Sequence, residues 1–230
     1  MFTFRTFLRT QTGLFIACTL ILLWSFSTAF AFQVHWDSRN PFLYIWILIQ
    51  MHLYTGLFIT AHDAMHGTVS RNRGLNNLIG WICTLAYACF PYSKLYKKHH
   101  EHHRFVHTEQ DPDFSERSFF LWYMGFFFQY FSIYQYLLLN GLFFFYNLVL
   151  KVPQVNLILF WIVPSVLSSL QLFYFGTYAP HKGEPGNIHQ ARTQTKNHVL
   201  AFITCYFFGY HFEHHDAPYI PWWQLHKLKA

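Results

Sequence analysis

Apolar positions run almost unbroken through residues 13–32 and again through residues 42–61, separated only by the polar turn QVHWDSRNP. Each run matches the roughly 20 residues an α-helix needs to cross about 30 Å of hydrocarbon. Residues 118–150 form a longer stretch, enough for an interfacial lead-in followed by a crossing. KVPQVN makes the next turn and residues 157–179 return, with a kink expected at Pro164. Residues 75–90 and 199–209 are apolar too, but short and flanked by polar segments, so they read as interfacial helices. The pattern predicts an all-α membrane protein: four transmembrane helices in two hairpins, with interfacial helices between and after them, in a single domain over residues 1–230. AFA at 29–31 has the look of a signal-peptide cleavage site. The apolar stretch before it exceeds a signal-peptide core and a second span follows at once, so the first helix is read as an uncleaved anchor.

Composition fits this reading. Hydrophobic residues make up 53% of the chain and charged residues 11%, against about 25% in soluble proteins. The mean hydropathy of +0.16 is held down by 16 histidines and by the polar loops. Arg5, Arg9, Arg71, Arg73, Lys97, Lys98, Arg104, Arg117, Lys182, Arg192, Lys196, Lys227 and Lys229 fall on one side of the four-span arrangement, and Arg39 and Lys151 on the other. Basic residues mark the cytoplasmic side, so the histidine-rich cap and both termini are expected there, on a multi-pass cell-membrane protein. The net charge of +6 is then a topology signal, supplemented by anionic lipid, and gives no ground for nucleic-acid binding. The four cysteines form no C-x-x-C pair and read as buried thiols.

The histidines are patterned. HDAMH supplies His62 and His66; HHEHH supplies His99, His102 and His103; HFEHH supplies His211, His214 and His215. Residues three and four apart share a helix face, so each box presents its imidazoles from one side. Eight such rings packed together would repel one another if protonated and leave lone pairs unpaired if neutral. Metal binding resolves both difficulties. Four ligands saturate one zinc, so eight imply two ions, and imidazole suits Fe, Zn and Cu alike. No carboxylate belongs to the H-x-x-H-H spacing: Glu101 and Glu213 point away, while Asp63, Asp111 and Asp113 are expected to accept imidazole N–H groups. Isolated histidines such as His35 and His52 read as polar or interfacial residues.

HDAMHG (62–67), KHHEHHRF with DPDF (111–114) after it, FGTYAPH (175–181) and GYHFEHH with PWWQL (221–225) resemble the bacterial and cyanobacterial beta-carotene ketolases of the membrane fatty-acid desaturase/hydroxylase superfamily. The likeness runs from about His62 to the C-terminus. It implies a cytoplasmic cap holding two irons on histidine, with O₂ as co-substrate and oxidation of ring C4 of beta-carotene. Two successive hydroxylations give a geminal diol that loses water to the ketone. It also implies a ninth ligand, His181, which ends the fourth span 30 residues before His211. His100, His107, His189 and His198 stay outside the ligand set, with His107, four residues after His103, next in line. The chain departs from the resemblance at Phe207, where the ketolases usually carry His, and at His226, where they usually carry Pro.

A beta-ionone ring carries no charge, so its pocket should be apolar; FFLWYMGFFFQYF (119–131) and LFFFY (142–146) supply the side chains. Lys94, Lys97 and Lys98 would suit a charged headgroup, which keeps a fatty-acyl desaturase or hydroxylase as an alternative. A metal transporter is the alternative from another class, but transport places ligands within the bilayer, whereas these boxes lie at span ends. No flavin or nicotinamide fingerprint or cysteine cluster is present, so electrons must come from an external reductant. The basic face suits an acidic, ferredoxin-like donor.

Overall fold

The computed structural model describes the backbone of residues 4–229 and the side chains of residues 11–229; the side chains of Arg5 and Arg9, used in the charge argument, lie outside them. The described residues are helical, with no strand. The helices α1 (Phe4–Gln33) and α2 (Phe42–Met65) form the first hairpin. Its turn is closed by Asp37 and Asn40, whose side chains accept the backbone N–H groups of Arg39 and Phe42 at 2.9 and 3.0 Å. Between the helices, Gln50 accepts from Ser27 Oγ and donates to Thr28 Oγ1, both at 2.5 Å. Such polar pairs hold helices together where the surrounding solvent is as apolar as the side chains.

Past Gly67 (φ 71°) the chain folds back under α2. Helix α3 (Arg73–Ala88) is capped by the Asn72 side chain on Leu75 N–H and stops at Cys89 in the left-handed conformation. Helix α4 (Tyr92–Phe105) carries the second histidine box and is placed by Tyr92, whose ring lies over Gly80. A side chain at Gly80 would put its Cβ 2.3 Å from that ring, so only glycine permits the crossing.

The stretch 118–150 divides into α5 (Phe119–Tyr130) and α6 (Ile133–Val149) at a break where Ser132 and Gln135 form a reciprocal cap. Helix α7 (Gln154–His181) returns along α2. At its start Asn156 Nδ2 donates to the Ala31 and Val34 carbonyls at the end of α1, each at 2.9 Å; midway, Thr55 of α2 meets Ser168 Oγ at 2.8 Å and Gln171 Oε1 at 2.5 Å. The expected kink at Pro164 takes the form of a π-helical turn over Ile158–Ile162, which contains the Phe160 carbonyl that the proline ring would otherwise strike. A second such turn, Tyr174–Tyr178, precedes His181. Helices α8 (His198–Cys205) and α9 (His211–Asp216) and a 3₁₀ turn (Trp222–Lys227) follow.

Helices α1, α2 and α7 are long and apolar enough to cross a membrane; α6 is apolar but shorter. Phe15, Phe26, Leu48, Leu137 and Leu148 are more than half exposed, a surface suited to lipid and costly in water.

Candidate metal centre

Nine imidazoles converge where the C-terminal ends of α2, α4 and α7 meet α9. They form two groups: His62, His66, His99, His103 and His214 in one, and His102, His181, His211 and His215 in the other, with candidate ligand atoms inside each group within 4.8 Å of one another. These are the eight box histidines and His181. Each H-x-x-H-H box is split between the groups. His99 and His103, four apart on α4, face the first group and His102 the second; His211 and His215, four apart on α9, face the second and His214 the first. Adjacent helical residues diverge by about 100° at 3.6 residues per turn, so His102/His103 and His214/His215 each divide between the two groups.

The spacing suits metal ions. Nε2 atoms face one another at 2.6 Å (His66–His99), 3.0 Å (His103–His214), 2.9 Å (His181–His211) and 3.0 Å (His211–His215). Two imidazole nitrogens bound about 2.1 Å from one ion at a right angle stand about 3 Å apart. His62 is buried with neither ring nitrogen hydrogen-bonded, a costly state that coordination would relieve. Burial first, and then neighbouring imidazoles, push the cap histidines to the neutral, ligating form: His66 to about 3, His103 to about 2, and His99, His211, His214 and His215 well below the ordinary imidazole value.

The partners behind the rings differ from expectation in part. Burial alone would lower His102, but its Nδ1–H donates to Asp111 Oδ1 at 2.9 Å and the net shift is upward; Asp111 is lowered in return. His181 Nδ1–H donates to the Gln190 carbonyl at 2.8 Å, which turns Nε2 toward the second group. Asp63 does not hold an imidazole: its Oδ1 stands 3.6 Å from His62 Nδ1, and its Oδ2 accepts the Trp222 backbone N–H at 3.1 Å, tying the C-terminal PWWQL segment to α2. Asp113 accepts the Tyr130 hydroxyl at 2.5 Å instead of an imidazole N–H. Glu101 faces Lys97, and Glu213 accepts from Thr193 at 2.6 Å, so both point away from the site as expected.

Comparison with known proteins gives these rings a family. The fatty acid desaturase model matches residues 38–146 and 133–230. The chain is 45% identical over 190 residues to a beta-carotene ketolase of Haematococcus lacustris, covering 75% of this chain and 58% of that protein. It is 38% identical to a zeaxanthin 4-ketolase of Chlamydomonas reinhardtii, covering 94% and 53%, and 38% identical to a beta-carotene ketolase of Paracoccus sp. (strain PC1), covering 96% and 93%. The chain belongs to the fatty acid desaturase family. It spans little more than half the length of the algal relatives and nearly all of the bacterial one. No solved structure matches the chain.

In this desaturase-family chain the histidines left outside the ligand set lie outside both groups. His100 Nδ1 meets the Tyr96 carbonyl, His189 meets Asp216 and His198 meets the Tyr210 hydroxyl. His226 packs beside Phe207, and Phe207, at φ 62°, faces Tyr210 and Trp222, away from the imidazoles. His107 has a role that spacing gave no sign of. Its Nε2–H reaches the carbonyls of His181 (3.1 Å) and Gly183 (2.7 Å), and its backbone N–H donates to Asp111 Oδ2, so one residue braces both α7's last turn and the carboxylate behind His102.

The family member also has an apolar cavity of about 450 Å³ ending at the two groups, where His62, His99, His102 and His211 form part of its wall. Phe126, Phe127, Tyr130 and Phe131 of the aromatic stretch line it, and so does Phe143 of LFFFY. Tyr136, Leu139, Asn140 and Phe143, spaced along one face of α6, also line it, with Ile162, Ser165, Val166 and Ser169 of α7. Gly176 packs directly against Phe208 in the cavity wall: a Cβ there would stand 2.2 Å from the Phe208 ring. Lys94 Nζ donates to the Tyr130 carbonyl at 2.8 Å.

Proposed function

We propose that the chain is a membrane di-iron oxygenase acting as a beta-carotene 4-ketolase. One observation carries the reading: His62 and His99 of one group and His102 and His211 of the other form part of the wall of an apolar cavity. The names of the relatives favour a carotenoid as occupant. His62, His66, His99, His103 and His214 would hold one iron, and His102, His181, His211 and His215 the other. Bound there, the irons would supply the reduction of O₂ and the removal of hydrogen from an allylic C–H.

The residues of the chain do the rest. The aromatic wall excludes water and accepts a ring with no polar handle, and the stretch lined by α6 and α7 leaves room for the polyene. Asp111 fixes the tautomer of His102, and the Gln190 carbonyl that of His181. Two turnovers at one ring carbon give the geminal diol, which loses water to the ketone.

In this reading α6 is the third span and α7 the fourth, the protein is one membrane-embedded domain, and the cap and both termini are cytoplasmic. There an acidic one-electron donor such as a ferredoxin meets the basic face. Of the three lysines that keep a lipid desaturase or hydroxylase as the alternative, Lys94 donates to the Tyr130 carbonyl, and Lys97 and Lys98 continue to support it. The deciding experiment is expression in cells that accumulate beta-carotene, followed by pigment analysis. Echinenone or canthaxanthin is expected, and iron-replete protein that leaves beta-carotene unchanged refutes the proposal. Reporter fusions at Lys151 and at the C-terminus should report opposite sides of the membrane.

A further inference from the structure

Beside the apolar cavity lies a second, polar one of about 360 Å³, bordered by Lys98, Glu101, Glu109, Asp111 and Arg117. Asp113 and Phe126 line both. Phe126 has no group that can carry a proton, so Asp113 is the polar crossing point between them.

Its surroundings are built. Asp113 Oδ1 accepts the Tyr130 hydroxyl at 2.5 Å, and Tyr130 lines the apolar cavity. Trp122 Nε1 donates to the Asp113 carbonyl at 2.8 Å and Lys94 Nζ to the Tyr130 carbonyl at 2.8 Å, so both backbones are held. The Asp113 N–H donates at 2.9 Å to Asp111 Oδ1, the oxygen that also takes the His102 N–H. The charged and titratable groups facing Asp113 are thus Asp111 in its own loop, His102 and Lys98 from α4, and Tyr130 from α5.

The chemistry gives this crossing a task. Each oxygen insertion consumes one O₂, one C–H bond, two electrons from the donor protein and two protons, and yields one C–OH and one water. An apolar cavity in a bilayer has no stock of protons. Resting on the oxygenase reading above, we propose that Asp113 and Tyr130 form the route by which protons from the polar cavity reach the site of O₂ reduction. A proton from water protonates the Asp113 carboxylate; as it crosses the short hydrogen bond to the Tyr130 oxygen, the phenol releases its own proton into the apolar cavity, and turning the hydroxyl back toward Asp113 resets both groups. Burial, opposed by His102, brings the Asp113 carboxyl up to about 6, where it exchanges protons near neutral pH.

The test uses Asp113→Asn, Asp113→Glu and Tyr130→Phe in the full-length, iron-loaded protein in membranes. Asp113→Asn and Tyr130→Phe should lower keto-carotenoid formation by about 100-fold or more. Iron content and carotenoid binding, read by quenching of tryptophan fluorescence, should stay at the wild-type level, and the solvent deuterium isotope effect on turnover should rise. Asp113→Glu should restore part of the rate. On the metal-free protein, an infrared titration should show a protonated-carboxyl band with a midpoint near pH 6 that Asp113→Asn removes. Wild-type turnover and isotope effect in Asp113→Asn, absence of that band in the wild type, or loss of iron in all three variants would each overturn the route. Failure of the wild type to make any keto-carotenoid would instead refute the oxygenase reading, and the infrared titration separates the two.

Discussion

Replacing His181 with Ala tests the division of the imidazoles into five and four. His181 is 2% exposed, and its Nε2 stands 2.9 Å from His211 Nε2. The substitution leaves three imidazoles in the second group and five in the first. It also removes the N–H that the part-buried Gln190 carbonyl accepts. Loss of a partner behind a ligand typically weakens metal binding about 10–100-fold, so loss of the ligand itself should exceed about 100-fold. The expected result is selective: one iron per chain in place of two, and keto-carotenoid formation lower by orders of magnitude. The assay is elemental analysis of purified protein beside pigment formation normalised to protein level. His100→Ala, whose ring turns to a backbone carbonyl, should retain both irons. His107→Ala should fall between, because it frees the His181 carbonyl without removing a ligand. His181→Ala protein with two irons and near wild-type activity would refute the assignment of the second group.

Asp111→Asn removes the charge behind His102 and turns a donor toward either the His102 or the His107 N–H; iron affinity in a chelator competition should fall about 10–100-fold. Acid should destabilise the metal-free protein. His66, His99, His103, His211, His214 and His215 have folded-state pKa values lowered below the unfolded value of about 6.5, so the unfolded chain binds more protons and stability falls as pH drops from about 6.5 toward 3. Thermal unfolding in detergent across that range checks the sign, and a flat profile would contradict it. Gly176→Ala should cost about 1–3 kcal/mol, read as a lowered Tm, because its Cβ would meet the Phe208 ring at 2.2 Å.

The sequence by itself determined the helices and the residue types of the site. Long apolar runs declared α1, α2 and α7 because hydrocarbon demands internally satisfied backbone, and the H-x-x-H-H spacing declared shared helix faces because 3.6 residues make a turn. His181 became legible only through resemblance, since a lone histidine after a proline carries no periodicity. What the tertiary structure decided is how the faces meet. The boxes on α4 and α9 each divide between two groups because two helices approach the same centre from different sides, and no spacing within one helix encodes the partner's direction. The same limit explains the carboxylates. Asp63, Asp111 and Asp113 look alike along the chain, yet the fold gives one to the Trp222 backbone, one to His102 and one to Tyr130. Hydrogen-bond partners 159 and 17 residues away are chosen by packing, after local propensity has finished its work.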